Sequence, residues 1–155
     1  GMMMLTEPTA RDLGVDNRLD AAQSLRGGAR YLKDITRRLP KRIKEPDRTW
    51  MALAAYNIGI AHLEDARVLT QRQGGDPNLW DDVRKRLPLL QKTTYYKDTR
   101  YGYARGFEAA DLVQKVRHYR GALALQQSPN EHSLPPIRSE DYLPDALRGI
   151  ELLAL

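Results

Sequence analysis

A chain of 155 residues, 41% hydrophobic and 29% charged, amounts to one domain and can bury a real core. It has no cysteine, which excludes disulfides, thiolate metal sites and a cysteine nucleophile, and no apolar run near the roughly 18 residues of a membrane span. Its net charge of +5 favours anionic partners: nucleic acid, anionic lipid or a polymer carrying carboxylates.

In chain order the sequence reads as helices with no convincing strand. Residues 6–14 form a short helix with Thr6 as cap, Pro8 in its first turn and Gly14 as stop. Asp20 caps a longer helix in which Leu25, Ala29, Leu32, Ile35 and Leu39 make one buried stripe, and Pro40 ends it. Gly27 and Gly28 inside it weaken the helix, so a neighbouring helix is expected to approach closely there.

After the charged connector 41–45 comes the most apolar stretch, Trp50-Met51-Ala52-Leu53-Ala54-Ala55-Tyr56-Asn57-Ile58-Gly59. It reads as a helix buried all round, with Asp47 as N-cap and Gly59 as left-handed stop. Tyr56 and Asn57 then sit at the edge of a core, where polar groups need partners; a ligand is one such partner, a core phenol and a helix-end amide without ligand the other reading.

Residues 60–73 continue as an amphipathic helix bearing Leu63, Ala66 and Leu69 or Thr70, closed by Gly74-Gly75-Asp76-Pro77. Asn78 is expected to cap 79–87, with Trp80, Val83 and Leu87 on one face, Arg84-Lys85-Arg86 on the other and Pro88 as stop. Residues 91–107 read as an aromatic and basic loop around Gly102 and Gly106, with Tyr95, Tyr96, Tyr101, Tyr103, Lys97, Arg100 and Arg105. A loop of that length is more often functional than idle. The last clear helix, 108–126, is expected to bury Leu112, Val113, Val116, Tyr119 and Leu123. The expected organisation is a main domain over 1–125, a linker over 126–140 and an amphipathic tail helix over 141–155 with Leu143, Leu147, Ile150 and Leu153 aligned.

Several of these segments together carry a resemblance. Gly1-Met2-Met3-Met4-Leu5-Thr6 with Pro8-Thr9-Ala10, Asn17-Arg18-Leu19-Asp20, Gly27-Gly28-Ala29-Arg30-Tyr31-Leu32 and Ala54-Ala55-Tyr56-Asn57-Ile58-Gly59 follow one another as in lytic transglycosylases of the soluble type. Leu87-Pro88-Leu89-Leu90, Tyr95-Tyr96 and Thr99-Arg100-Tyr101-Gly102-Tyr103-Ala104-Arg105-Gly106 look most like the catalytic domain of the branch called membrane-bound lytic transglycosylase F. The resemblance covers about residues 1–125.

It implies an all-α, lysozyme-like helical domain of goose-lysozyme type that cleaves between N-acetylmuramic acid and N-acetylglucosamine in peptidoglycan without water, leaving a 1,6-anhydro end. One glutamate serves as acid and then base, unlike glycosidases with two protein carboxylates. In the family that glutamate precedes the motif that Gly1 to Met4 resemble. No catalytic residue is therefore assigned: Glu7, Glu45, Glu64 and Glu108 do not match its place, and the domain is expected to be N-terminally truncated and inactive alone. The family usually has a tyrosine where Leu112 stands, and glutamine where Met4 stands, although the transglycosylase F branch often has methionine there.

The implied substrate-binding residues are Met3, Met4, Tyr56, Asn57, Tyr101 and Tyr103. The methionines can equally be core filling, and the tyrosines can equally pack on the body. His62, His118 and His132 share no metal-like spacing, so neither metal nor cofactor is expected. The implied partner is the peptidoglycan glycan strand, in the periplasm or at the outer membrane, although no signal peptide is visible at the start of the chain. Apolar surface left open by the missing helix is expected to be covered by 141–155 or by a second copy of the chain. Two other readings stay open: a non-catalytic glycan-binding or interaction module, and a basic helical nucleic-acid binder, whose binding would fall steeply with salt.

Overall fold

The computed structural model describes residues 1–127; expectations for the tail helix 141–155 and most of the linker lie outside them. The chain runs through α1 (Glu7–Asp12), α2 (Ala21–Arg38), α3 (Asp47–Ile58), α4 (Ile60–Arg72), α5 (Trp80–Arg86), a 3-10 helix (Leu87–Gln91), α6 (Thr93–Tyr96) and α7 (Gly106–Gln127). There is no strand among the described residues. The all-α class is as the sequence implies. Residues 1–119 form one compact unit, and the end of α7 belongs to a second, 120–155.

The apolar run of α3 is enclosed as its composition demands. Met51, Ala52, Ala54 and Ala55 are inaccessible to solvent, and α2, α4 and α5 pack around the helix. Ile35, Leu63, Trp80, Leu87 and Val113 complete the same cluster. Gly59 (φ 89°, ψ 148°) ends α3 and starts α4 with no intervening loop. That is not the left-handed helical stop expected of it, but an extended conformation on the positive-φ side, open in practice only to glycine.

Capping follows expectation in the first half of the chain and departs from it afterwards. The Thr6 and Asp20 side chains accept from Thr9 N and Gln23 N. Asp47, however, is the first residue of α3 and does not cap it. Its Oδ1 accepts from Trp80 N at 2.8 Å, the first amide of α5, while Glu45 Oε2 accepts from Thr49 N and Oγ1. With Asp47 serving α5, Asn78 is released from the capping role expected of it. Its Oδ1 takes bonds from Arg42 and Arg67 instead. Pro88 does not stop the chain's helical course, because a proline in a first turn forfeits no hydrogen bond and the 3-10 helix runs through it.

The stripe expected on α2 is only partly buried. Leu25 is 46% exposed and Ala29 is exposed, whereas Ser24, Gly27, Gly28 and Ile35 are buried. The close neighbour at the two glycines is the N-terminal segment and not a helix: a Cβ on Gly28 would lie 2.6 Å from Met3 Cε, and one on Gly27 would lie 2.6 Å from Val15 Cγ2. Residues with small side chains were needed on the face that receives Met3, Leu5 and Val15, so the leucine turned away. On α7, Val113 is buried as expected, but Tyr119 and Leu123 are 67% and 55% exposed. The C-terminus of α2 is closed from outside. Arg48 on α3 donates to the carbonyls of Leu39 at 2.9 Å and Pro40 at 2.8 Å, and also to Thr36, satisfying groups that the helix end leaves without partners.

Candidate functional site

The break at Gly59 sets the position of the groove. Because α4 begins at once, His62 on its first turn comes beside Asn57 on the last turn of α3. The chain from Tyr103 to Glu108, which enters α7, supplies the rest of the lining. Ala104 N donates to Leu90 O at 3.2 Å and Phe107 N to Gln91 Oε1 at 3.0 Å, which ties this segment to the 3-10 helix. Asn57, Ile58, His62, Tyr103, Arg105 and Glu108 line a groove of about 390 Å³. Asn57 is exposed and Tyr103 is 53% exposed, so an amide with both donor and acceptor and an aromatic ring are offered to the same space. Glu108 pairs with Arg105 at 3.5 Å.

Tyr56 faces elsewhere. It is half-buried against Tyr31, ring centroids 5.3 Å apart, and its hydroxyl donates to Met3 O at 2.7 Å. Met3 N in turn donates to Ser24 Oγ at 3.1 Å. The backbone of Met3 is thus clamped at both ends, and its side chain rests on Gly28. Met4 beside it has φ 50° and is 85% exposed.

Burial, with a smaller contribution from Tyr31, pushes the Tyr56 phenol pKa above its ordinary value. The protonated phenol is the form that donates to Met3, so this stabilisation is whole below the unfolded value of about 10 and is lost as pH rises through the higher folded value. Tyr56→Phe is expected to cost about 1 kcal/mol at neutral pH and to make stability less sensitive to pH above about 10. Urea denaturation on either side of that pH checks this; an identical alkaline slope in the variant would rule it out.

Of the residues singled out in the sequence, the structure brings Asn57 and Tyr103 into one groove and Met3 and Tyr56 into one hydrogen bond. Tyr101, 46% exposed, stands edge-on to His62 at 6.4 Å and lines an adjoining cavity with Glu64, Asp65, Arg72 and Arg100. Sequence reasoning weighed His62 only as a metal ligand and passed over Asp65. The available signal was a polar pair, Asp65 and Arg67, flanking Ala66 on a helix that buries all three. Among the described residues no group of His, Cys, Asp and Glu side chains is placed to hold a metal, and no helix is long and apolar enough to cross a membrane.

Known proteins resemble the chain over most of its length. The transglycosylase SLT domain family matches residues 1–78, which takes in α1 to α4 and the groove's Asn57 and His62. The chain is 54% identical over 145 residues to a protein of Saccharophagus degradans named membrane-bound lytic murein transglycosylase F, covering 94% of the chain and 29% of that relative. It is 62% identical over 123 residues to the protein of that name from Shewanella frigidimarina, covering 79% of the chain and 26% of the relative. The chain therefore spans under a third of the length of these curated relatives. The family match covers half of its own residues and includes the helix that carries Tyr56 and Asn57, so the chain belongs to the transglycosylase SLT domain family.

Proposed function

We propose that the groove receives the glycan strand of peptidoglycan, and that the chain contributes it to a lytic transglycosylase, which cuts between N-acetylmuramic acid and N-acetylglucosamine without water. The observation that carries this reading is the pairing of Asn57 and Tyr103 in one groove. An amide can donate to and accept from sugar hydroxyl and acetamide groups, and a half-exposed ring offers an apolar face to a pyranose. The name these relatives carry, membrane-bound lytic murein transglycosylase F, supports the same substrate and a place in the cell envelope.

None of the described glutamates is set up as the acid. Glu7 pairs with Arg18, Glu64 with Arg67 and Glu108 with Arg105, while Glu45 accepts from Thr49, all on exposed residues. A carboxyl that donates a proton near neutral pH needs burial beside apolar groups. The acid step is therefore assigned to a glutamate other than these. The nucleic-acid reading is weakened by the pairing of basic side chains with carboxylates one turn away, as in Arg84 with Asp81, Lys85 with Asp82 and Lys115 with Asp111.

The test is a titration of the 155-residue chain with chitotetraose, alongside incubation with sacculi. Asn57→Ala and Tyr103→Ala are each expected to weaken sugar binding about fivefold to tenfold, and no anhydro-muropeptides should be released. Unchanged affinity in both variants would remove the groove from the proposal. Release of anhydro products by the chain that is lost on Gln replacement of Glu7, Glu45, Glu64 or Glu108 would overturn the assignment of the acid.

A further inference from the structure

The carboxylate of Asp65 lies outside the groove yet holds one of its walls. Asp65 is 4% exposed, and its two oxygens are both engaged by the backbone of the aromatic loop: Oδ1 accepts from Arg100 N at 3.1 Å and Oδ2 from Tyr101 N at 2.9 Å. Consecutive amides that converge on one buried carboxylate make charge-assisted bonds, stronger than bonds between neutral groups. The rest of the loop is held by neutral acceptors. Gly102 N donates to Thr99 Oγ1 at 3.2 Å, Thr99 Oγ1 to Tyr96 O at 2.8 Å and Arg72 to Asp98 O at 3.2 Å. Gly102 takes φ 79° immediately after the two anchored amides, and the next residue, Tyr103, lines the groove. The same carboxylate lies near one of the groove's lining residues, with His62 Nδ1 4.0 Å from Oδ2. That buried nitrogen finds no hydrogen-bond partner among the described residues.

We propose that Asp65 is a positioning residue for ligand binding: it fixes the 98–105 loop so that the Tyr103 ring shares the groove with Asn57. The inference rests on the glycan reading above. Its physical basis is that a loop end carrying an exposed ring keeps one orientation only if its backbone is tied down, and Asp65 supplies the charged tie. Without it two amides of the turn lose their acceptor, and the loop gains other conformations in which Tyr103 leaves the groove.

Asp65→Asn keeps the side-chain volume but turns one acceptor oxygen into an amide donor; Asp65→Ser, smaller and with one acceptor, is the second variant. Ile35→Val, in the core on α2, serves as a destabilised control. Amide exchange followed by NMR and chitotetraose titration are read on each protein. Either Asp65 variant is expected to speed exchange at Arg100 and Tyr101 at least about tenfold while α3 amides change far less, and to weaken chitotetraose binding about tenfold. The control is expected to bind as the parent does.

Unchanged exchange at Arg100 and Tyr101 would overturn the anchor. Faster exchange with undiminished sugar binding would overturn the positioning role and leave Asp65 a structural residue only. A parent chain that does not bind chitotetraose would overturn the glycan reading, and with it the positioning of a sugar platform, while the exchange arm still decides whether Asp65 holds the loop.

Discussion

Gly106→Ala is expected to destabilise the chain by about 3 kcal/mol or more, because its methyl group would fall inside the backbone carbonyl of Leu87. No flexible side chain is there to yield. Either α7 or the 3-10 helix must move, and Leu87, wholly buried, is part of the core. The same displacement would shift Ala104 and Arg105, so the groove should open along with the loss of stability. A thermal melt should show Tm lower by about 10 °C. Gly121→Ala gives the contrast: it lies on the same helix, a Cβ there meets nothing among the described residues, and the change should be neutral or stabilising by up to about 1 kcal/mol. Equal effects at the two glycines would show that packing against Leu87 is not what matters.

Arg67→Ala is expected to be of similar severity, about 3 kcal/mol in a urea titration. Arg67 is 1% exposed, and its guanidinium donates to Pro77 O at 2.9 Å, to Asn78 Oδ1 at 3.2 Å and to Glu64. Truncation empties the space of a long side chain and leaves the Pro77 carbonyl without its donor. Arg67→Met, which restores most of the volume but not the donors, should recover about half of the loss. Glu64→Gln should cost under about 1 kcal/mol, since that carboxylate is half in solvent and can be rehydrated. If Glu64→Gln proved as damaging as Arg67→Ala, the ion pair and not the buried donors would be the source of the stability.

These two positions also show where the sequence was legible and where it was not. The sequence places Gly106 in a loop and Gly121 inside a helix and says of neither what it will meet; the structure puts both on α7, one against a backbone carbonyl and the other in open space. Arg67 reads as a charged residue on an amphipathic helix, yet Asp65, Arg67 and Thr70 are all buried on α4. Only the turn returning through Pro77 and Asn78, and the loop returning through Arg100 and Tyr101, supply the partners that let those polar groups leave water.

The site divides along the same line. Asn57 was readable because a long apolar run that ends on an amide before glycine must place that amide at a core's edge. Its neighbours in the groove could not be read from that run: His62 arrives because Gly59 joins two helices without a loop, and Glu108 arrives through the opening of α7. Tyr56, adjacent in sequence to Asn57, points back to clamp Met3, because successive residues on a helix face different directions.

Sequence alone determined the all-α class, the buried central helix, the capping by Thr6 and Asp20 and the family to which the chain belongs, because each of these depends on local periodicity, on short-range hydrogen bonds or on motifs contiguous in the chain. The tertiary structure alone decided that Asp47 serves α5, that Asn78 serves two arginines, that α2 buries its glycines in place of Leu25, and that Asp65 ties down the aromatic loop. In each of these cases a polar group or a small residue meets a partner far along the chain, and which partner it meets follows from how the helices pack.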